Sequence, residues 1–535
     1  MPGHNSGSET GADPACYHGA SLTRGGTLAK LDLDNRSIYS NIWQLAWPAT
    51  LASILMNFAN IVDRMFIGVL GLDPVTAVGF SGSLIWLGFA LVELVTAGVV
   101  AIVARHWGAG ELEEAGVSGH RGLWIGCGIA LALVVVMELL APALMRLYDP
   151  TPEQYTVGVG YLRLFAPGFG ALVCAFTIHS IFVGSGDTRT GMYAFVVVNV
   201  LNVFLNWLLI FGHWGFPRMG VNGAALASSI SSFVGLGVIL VAYRFHWSNL
   251  SLKGFFRHPP AWREQKRFFK IGLPAMGQSI TRPLTGVIMI ALASSLKTYL
   301  PDGRVVNLVA TAFTIGMSTL IFGQFLSNGL MAAPAPLVGQ FLGRGEPLRA
   351  REAAQKTAVF GLMIGCFLAT VYIVFGRDLA QVFLQCDSTP VPVAAAAHRL
   401  AAFVKASGSS LPWRVVGLLK AGGFKLTRPV LDALANRRVL DMVHHYLIFI
   451  GLGGIFGTLA WTFGGGFRGA GDTAPPMWGA ILANWAVKVP LALLMIHIFH
   501  FRDYAVWSAV MLSQVFEGIF VALWFRRGRW MTKKV

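Results

Sequence analysis

Twelve long apolar runs, separated by short polar breaks, dominate the chain. They fall at about 41–70, 75–105, 121–144, 155–183, 191–212, 221–243, 269–296, 305–338, 357–384, 439–467, 477–499 and 504–525. Each meets the requirement of about 20 mostly apolar residues for a helix that crosses a bilayer. The runs are continuous rather than alternating, which predicts helices and not barrel strands. The polar breaks divide the chain into a first bundle at 38–246, a linker at 247–268, a second bundle at 269–527 and a tail at 528–535. Residues 1–37 contain no apolar core, so they read as a disordered tail without a cleavable signal.

Composition agrees with this pattern. Of 535 residues, 55% are hydrophobic and only 12% charged, against about 25% charged in soluble domains. The mean hydropathy is +0.62. The net charge of +16 does not imply nucleic acid, because the Lys and Arg gather in interhelical loops, the positive-inside arrangement. The loop after span six, RFHWSNLSLKGFFRHPPAWREQKRFFK, and the end, RRGRWMTKKV, are both basic. With twelve spans they share one side, which is expected to be cytoplasmic together with both termini, in a multi-pass protein of the inner (cytoplasmic) membrane. Cys127, Cys174 and Cys366 lie in apolar segments and read as small core residues. Metal-ligand spacings, a Ser/His/Asp order and a phosphate-cradling GK[ST] loop do not occur, so neither an enzyme nor a resident cofactor is expected.

The chain repeats itself. VARHWGAGELEEA (Val103–Ala115) aligns with VGQFLGRGEPLRA (Val338–Ala350), and FVGSGDT (Phe182–Thr188) with FRGAGDT (Phe467–Thr473). On the frame of the second match Asn199 meets Asn484 and Tyr161 meets Tyr446, and in the first span of each half the LAWP ending at Pro48 meets the IGLP ending at Pro274. The matches keep their order, which predicts two six-helix lobes of the same orientation. That is a transporter plan with a substrate site between the halves. The second lobe carries about 50 extra residues at roughly 388–438, a basic, partly amphipathic segment that reads as a surface helix or disordered insertion.

One acid stands out. Asp63 lies in the first span, with Asn57 and Asn60 on the preceding turns, and such a charge costs roughly 2.5–3.5 kcal/mol on insertion scales, marking a functional site. A carboxylate away from bulk water can bind and release a proton near neutral pH; with added oxygen ligands it can hold Na⁺. Asn199, Asn202 and Asn206 fall on one face of span five, able to hydrogen-bond a carboxyl group or to coordinate a cation. The aligned second-lobe positions read Asn484, Val487 and Leu491, so the polar stripe belongs to the first lobe. Glu93 in span two is a second deep acid, a proton site, a counter-charge for a cationic substrate or a paired structural Glu. Glu138 and Glu517 read as interfacial, and His179 as a structural histidine or a proton relay; Arg282 and Lys488 read either as positive charge that pairs with acids across the cleft or receives an anionic moiety, or as snorkelling to a boundary. Pro48 and Pro274 read as first-turn prolines or as kinks.

The paired GAG-E and GRGEP turns, the paired GSGDT and GAGDT, and the GVNGAALASSIS opening of span six together resemble the multidrug and toxic compound extrusion (MATE) family, over about residues 38–527 without the insertion. The resemblance implies an all-α membrane protein of twelve transmembrane helices in two pseudo-symmetric lobes around a V-shaped central cleft. It implies an antiporter that admits H⁺ or Na⁺ and exports organic, often cationic, small molecules. NIVDRMFIG resembles the family's first-helix motif, which makes Asp63 the coupling carboxylate. Asn202, Asn206 and Ser228 are then its companions, and Asp63, Asn202 and Asn206 the ligands if the ion is Na⁺. Asn60, Glu93, Asn199 and Arg282 are the candidate substrate contacts. The second lobe departs from the family: Arg282 stands where many members carry Glu, and Gly457 where they carry Asp. Arg282 and Lys488 keep a rival reading alive, a flippase for a lipid-linked oligosaccharide. The expected partners are a small-molecule substrate and the lipid bilayer, with no nucleic acid and a functional monomer.

Overall fold

The computed structural model describes residues 31–70, 72–146, 150–244, 258–259, 261–299, 305–384, 428–501 and 503–533. The protein is all-helical across the membrane. The N-terminal lobe contains α1 (Ile38–Gly68), α2 (Leu72–Gly108), α3 (Leu112–Arg146), α4 (Pro152–Gly184), α5 (Arg189–Phe211) and α6 (Val221–Arg244). The C-terminal lobe contains α7 (Trp262–Ser295), α8 (Leu308–Met331), α9 (Pro334–Gly343), α10 (Pro347–Leu384), α11 (Arg428–Gly469), α12 (Ala474–Ile481), α13 (Val489–His497) and α14 (Asp503–Arg526). The pair α8–α9 forms span eight. The set α12–α13, joined by a π-helical turn at Leu482–Lys488, forms span eleven. A two-residue hairpin pairs Thr298–Tyr299 with Val305–Val306 before α8.

Among the described residues, nine helices are long and apolar enough to cross a membrane. The other three spans, α1, α7 and α8–α9, complete the twelve. Large apolar side chains at helical spacing stand exposed on α3 (Leu131, Val135, Leu139) and α10 (Val359, Met363, Phe367). Contiguous apolar faces of this kind are stable against lipid and not against water.

Hydropathy places the spans but shortens four of them. The helices α3, α7, α10 and α11 begin at Leu112, Trp262, Pro347 and Arg428, well before the apolar runs at 121, 269, 357 and 439. Polar turns continue these helices beyond the bilayer; Glu113 and Glu114 favour the α3 N-terminus by complementing its dipole. The expected insertion at 388–438 falls mostly outside the described residues, and its last part belongs to α11. Residues 31–37, expected in the disordered tail, pack on the second lobe: Leu31 and Leu33 are buried, and Leu33 O accepts from Arg349 at 2.7 Å. The earlier helix starts also settle the two prolines. Pro48 and Pro274 sit inside α1 and α7, where a missing N–H and a ring clash kink a helix, and not in a first turn.

The duplicated glycine motifs are four copies of one helix ending. Glu111, Asp187, Glu346 and Asp472 each donate their backbone N–H to the carbonyl five residues back, on His106, Phe182, Phe341 and Phe467. The residue before each is a glycine with φ of +81°, +88°, +74° and +72°. This is the Schellman turn, which favours glycine at the left-handed position. Asp187 then caps α5, accepting from the backbone of Arg189 and Thr190 at 3.0 and 3.1 Å. Burial raises the Asp187 carboxyl above the usual range, and these hydrogen bonds oppose the rise.

The lobes meet mainly through α1 against α8 and α2 against α7, α9 and α11. Contact there is close: a Cβ on Gly272 of α7 would stand 1.8 Å from Leu94 O of α2, and one on Gly108 would stand 2.1 Å from Gln340 O. Among the described residues, the hydrogen bonds and ion pairs between lobes lie in the half that holds the glycine turns, Leu31 and Lys533. They include Gln340 Nε2 to Gly184 O at 2.9 Å, Arg105 to Lys533 O at 2.9 Å and Arg468 with Glu93 at 3.1 Å.

Candidate functional site

In the N-terminal lobe, α1, α5 and α6 bring together four of the predicted residues. Asn206 lies fully buried on α5. Its amide donates to Asp63 Oδ1 on α1 and to Asn202 Oδ1 at 3.1 Å. Asn202, one turn earlier, donates to Ser228 Oγ on α6 at 3.1 Å. The result is a continuous chain, Asp63–Asn206–Asn202–Ser228, across three helices. The Asn spacing makes it possible, because residues four apart on a helix stack along one face. Tyr161 of α4 lies within electrostatic reach of Asp63.

Asp63 is half-buried, and no ion pair to it occurs among the described residues. An intramembrane carboxylate without a counter-cation is stabilised by taking up a proton or a cation. Asp63 can take up a proton or, with oxygen ligands around it, a cation. Both Asn206 N–H groups are spent, one on Asp63, while Asn206 Oδ1 is buried without a hydrogen-bond partner among the described residues. An amide in this place donates to the ionised carboxylate and, turned over, accepts from the protonated one. A Na⁺ site needs oxygens converging on the ion, and the amide presents nitrogen to Asp63.

The other candidates are placed differently. Asn199 donates to Phe195 O of its own helix at 2.6 Å. Its repeat partner Asn484 does the same to Ala480 O at 2.8 Å. The shared bond is a helix feature, and Asn199 is not joined to the Asp63 chain. Glu93 pairs with Arg468 across the lobes, the paired alternative rather than a free counter-charge. The side chain of Asn60 lies outside the described residues. His179 is packed edge-on against Phe195 at 5.4 Å between centroids, as a structural histidine.

In the C-terminal lobe the charges form a second network. Arg282 of α7 donates to Glu517 of α14 at 2.6 Å, and its guanidinium lies over the Trp461 ring at 4.0 Å. Thr285, one turn on, donates to Asn484 Oδ1 at 3.0 Å and accepts from Lys488 Nζ at 3.1 Å. Two expectations are corrected here. Glu517 is buried near the middle of α14, not at an interface, because Arg282 neutralises it. Lys488 does not snorkel, because Thr285 takes its ammonium inside the lobe. The partnership of Glu517 was missed, although Ser513 and Glu517, four apart on an apolar span, form a polar face legible in the sequence. Gly457 supplies no carboxylate, and a Cβ added there would be in ordinary contact with Gln514 Oε1 at 3.8 Å.

A duplicated twelve-helix bundle with an intramembrane carboxylate between its first, fifth and sixth helices has the architecture of a membrane transporter. The MatE family model matches residues 48–208 and again 274–407. The two matches begin at the aligned prolines. The chain belongs to the MATE family. It is 24% identical over 507 residues to the probable multidrug resistance protein NorM of Thermotoga maritima, covering 93% of this chain and 94% of that one. A multidrug resistance MATE family transporter of the MOP superfamily, solved in an outward-facing conformation, superposes with a TM-score of 0.77 at 17% identity, covering 93% and 98% of the two chains. A MATE structure in a bent conformation gives 0.74 at 17% identity, covering 92% and 95%.

Proposed function

We propose that the protein is a proton-coupled antiporter that exports organic, cationic small molecules across the cytoplasmic membrane. The observation that carries this reading is Asp63, held by Asn206 and by no cation among the described residues. With the lobes parted on the side away from the glycine turns, a proton reaches Asp63 and substrate leaves. With the opposite side open, the proton leaves and substrate enters. Exchange follows because the two ligands favour different states. The similarity to a probable multidrug resistance protein supports drug-like small molecules as substrates.

The test is export of a quaternary ammonium dye from proteoliposomes under H⁺ and Na⁺ gradients imposed separately. A pH gradient alone is expected to drive export. Export driven by Na⁺ alone would overturn proton coupling, and export with neither gradient would overturn antiport.

A further inference from the structure

The two lobes build polar networks from equivalent helices but with opposite charge. In the N-terminal lobe, the first, fifth and sixth spans hold one carboxylate among amides. In the C-terminal lobe, spans seven, eleven and twelve hold Arg282, Lys488 and Glu517. Two basic side chains stand with one carboxylate, Arg282 on Glu517 and Lys488 on the neighbouring Thr285. A surplus cation inside an apolar bundle is costly unless an anion joins it.

The site is built rather than incidental. Pro490 has no N–H to return to the carbonyl four residues earlier, and the helix ahead of it widens into the π turn Leu482–Lys488. Such turns occur often at functional sites. This one carries both Asn484 and Lys488 to Thr285. Arg282 is oriented by Glu517 and by the Trp461 face. Its side chain is 26% exposed while that of Glu517 is 7% exposed, so Arg282 keeps an open side that its internal partner lacks. Arg282's own helix, α7, and α11, which carries Trp461, both pack on α2 of the other lobe. Measured from the aligned prolines, Arg282 lies seven residues less deep than Asp63. At 1.5 Å per residue, that puts the basic cluster roughly 10 Å nearer the half where the lobes touch.

We propose that Arg282 and Lys488 form a subsite for a carboxylate borne by the substrate. The preferred cargo is then a zwitterion, with its cationic part toward the N-terminal lobe and its carboxylate toward the C-terminal lobe. This rests on the transporter reading and narrows its substrate class. Arg282 already engages a carboxylate internally; a substrate carboxylate adds the charge that Lys488 lacks.

The test uses two probes, a rhodamine with a free carboxylate and its methyl ester, with binding followed by fluorescence anisotropy on the purified full chain and transport in proteoliposomes. The wild type is expected to bind the free acid at least tenfold more tightly than the ester. Lys488→Met removes one charge, leaves the Arg282–Glu517 pair whole, and is expected to lower that preference about tenfold; Lys488→Arg is expected to restore it. Arg282→Met combined with Glu517→Gln, which strands no buried carboxylate, is expected to lower it as well. No preference in the wild type, or an equal effect of Lys488→Met on both probes, overturns the subsite. Selective binding without gradient-driven transport of either probe upholds the subsite and contradicts the antiporter reading. Transport of both probes without preference does the reverse.

Discussion

Asp63 is held by an amide rather than by a cation, and that sets what it can do. A basic partner would fix the charge permanently; Asn206 can serve either protonation state. Asn206→Leu leaves the carboxylate without its donor, which is expected to cost about 1–3 kcal/mol, read as a lowered thermal midpoint in detergent. The loss should be smaller at low pH, where the carboxyl is neutral. Asn206→Asp adds a second acid beside the first and is expected to bring Na⁺-driven dye export where the wild type shows none. Unchanged ion dependence in that variant would show that the donor set at position 206 does not select the ion. Much of this site was legible in the sequence, because Asp63 is costly and the Asn spacing is periodic. Asn199 shared that periodicity and still bonds its own helix. Spacing reports a face, not a partner.

At the scale of elements, glycine decides how closely the lobes approach. The Schellman turns were legible as duplicated motifs, since glycine at a left-handed position is a local requirement. The close contact of Gly272 with Leu94 O was not, because nothing local in either segment demands it. Gly272→Val puts carbon into backbone, and overpacking typically costs about 1–3 kcal/mol. That cost falls only on the state in which α2 and α7 touch, so the variant is expected to favour the state with this side open. Hydrogen exchange in the adjoining parts of α2 and α7 should then quicken about tenfold or more, against no change if this contact does not set the equilibrium. The Arg282–Glu517 pair escaped sequence reasoning for a related reason. Its members lie 235 residues apart, and a helical period says which face carries a charge but not which helix will meet it.

At the scale of the whole molecule, the lobes are joined at one end by many small ties. The Glu93–Arg468 pair is about one-third exposed on both sides, where an ion pair contributes about 0.2–1 kcal/mol. Glu93→Gln alone is therefore expected to change transport rate less than about fivefold. Removing residues 529–535 as well takes away buried Trp530 and the Lys533 links to Arg105 and Asp472. The combined variant is expected to expose this face to a soluble thiol reagent in a cysteine placed at Gln340. An unchanged labelling rate would mean that these ties do not hold the face closed. The twelve spans and the repeat were legible because lipid demands long apolar helices and the duplication preserved its turns; the state in which the lobes rest depends on contacts between distant segments. The central claim is that substrate and proton exchange at Asp63. Its most direct measurement is proton release when a cationic dye is added to the purified protein in weakly buffered detergent. The account predicts about one proton released per dye bound by the wild type and none by Asp63→Asn, which should still fold. Equal release from both proteins would contradict it.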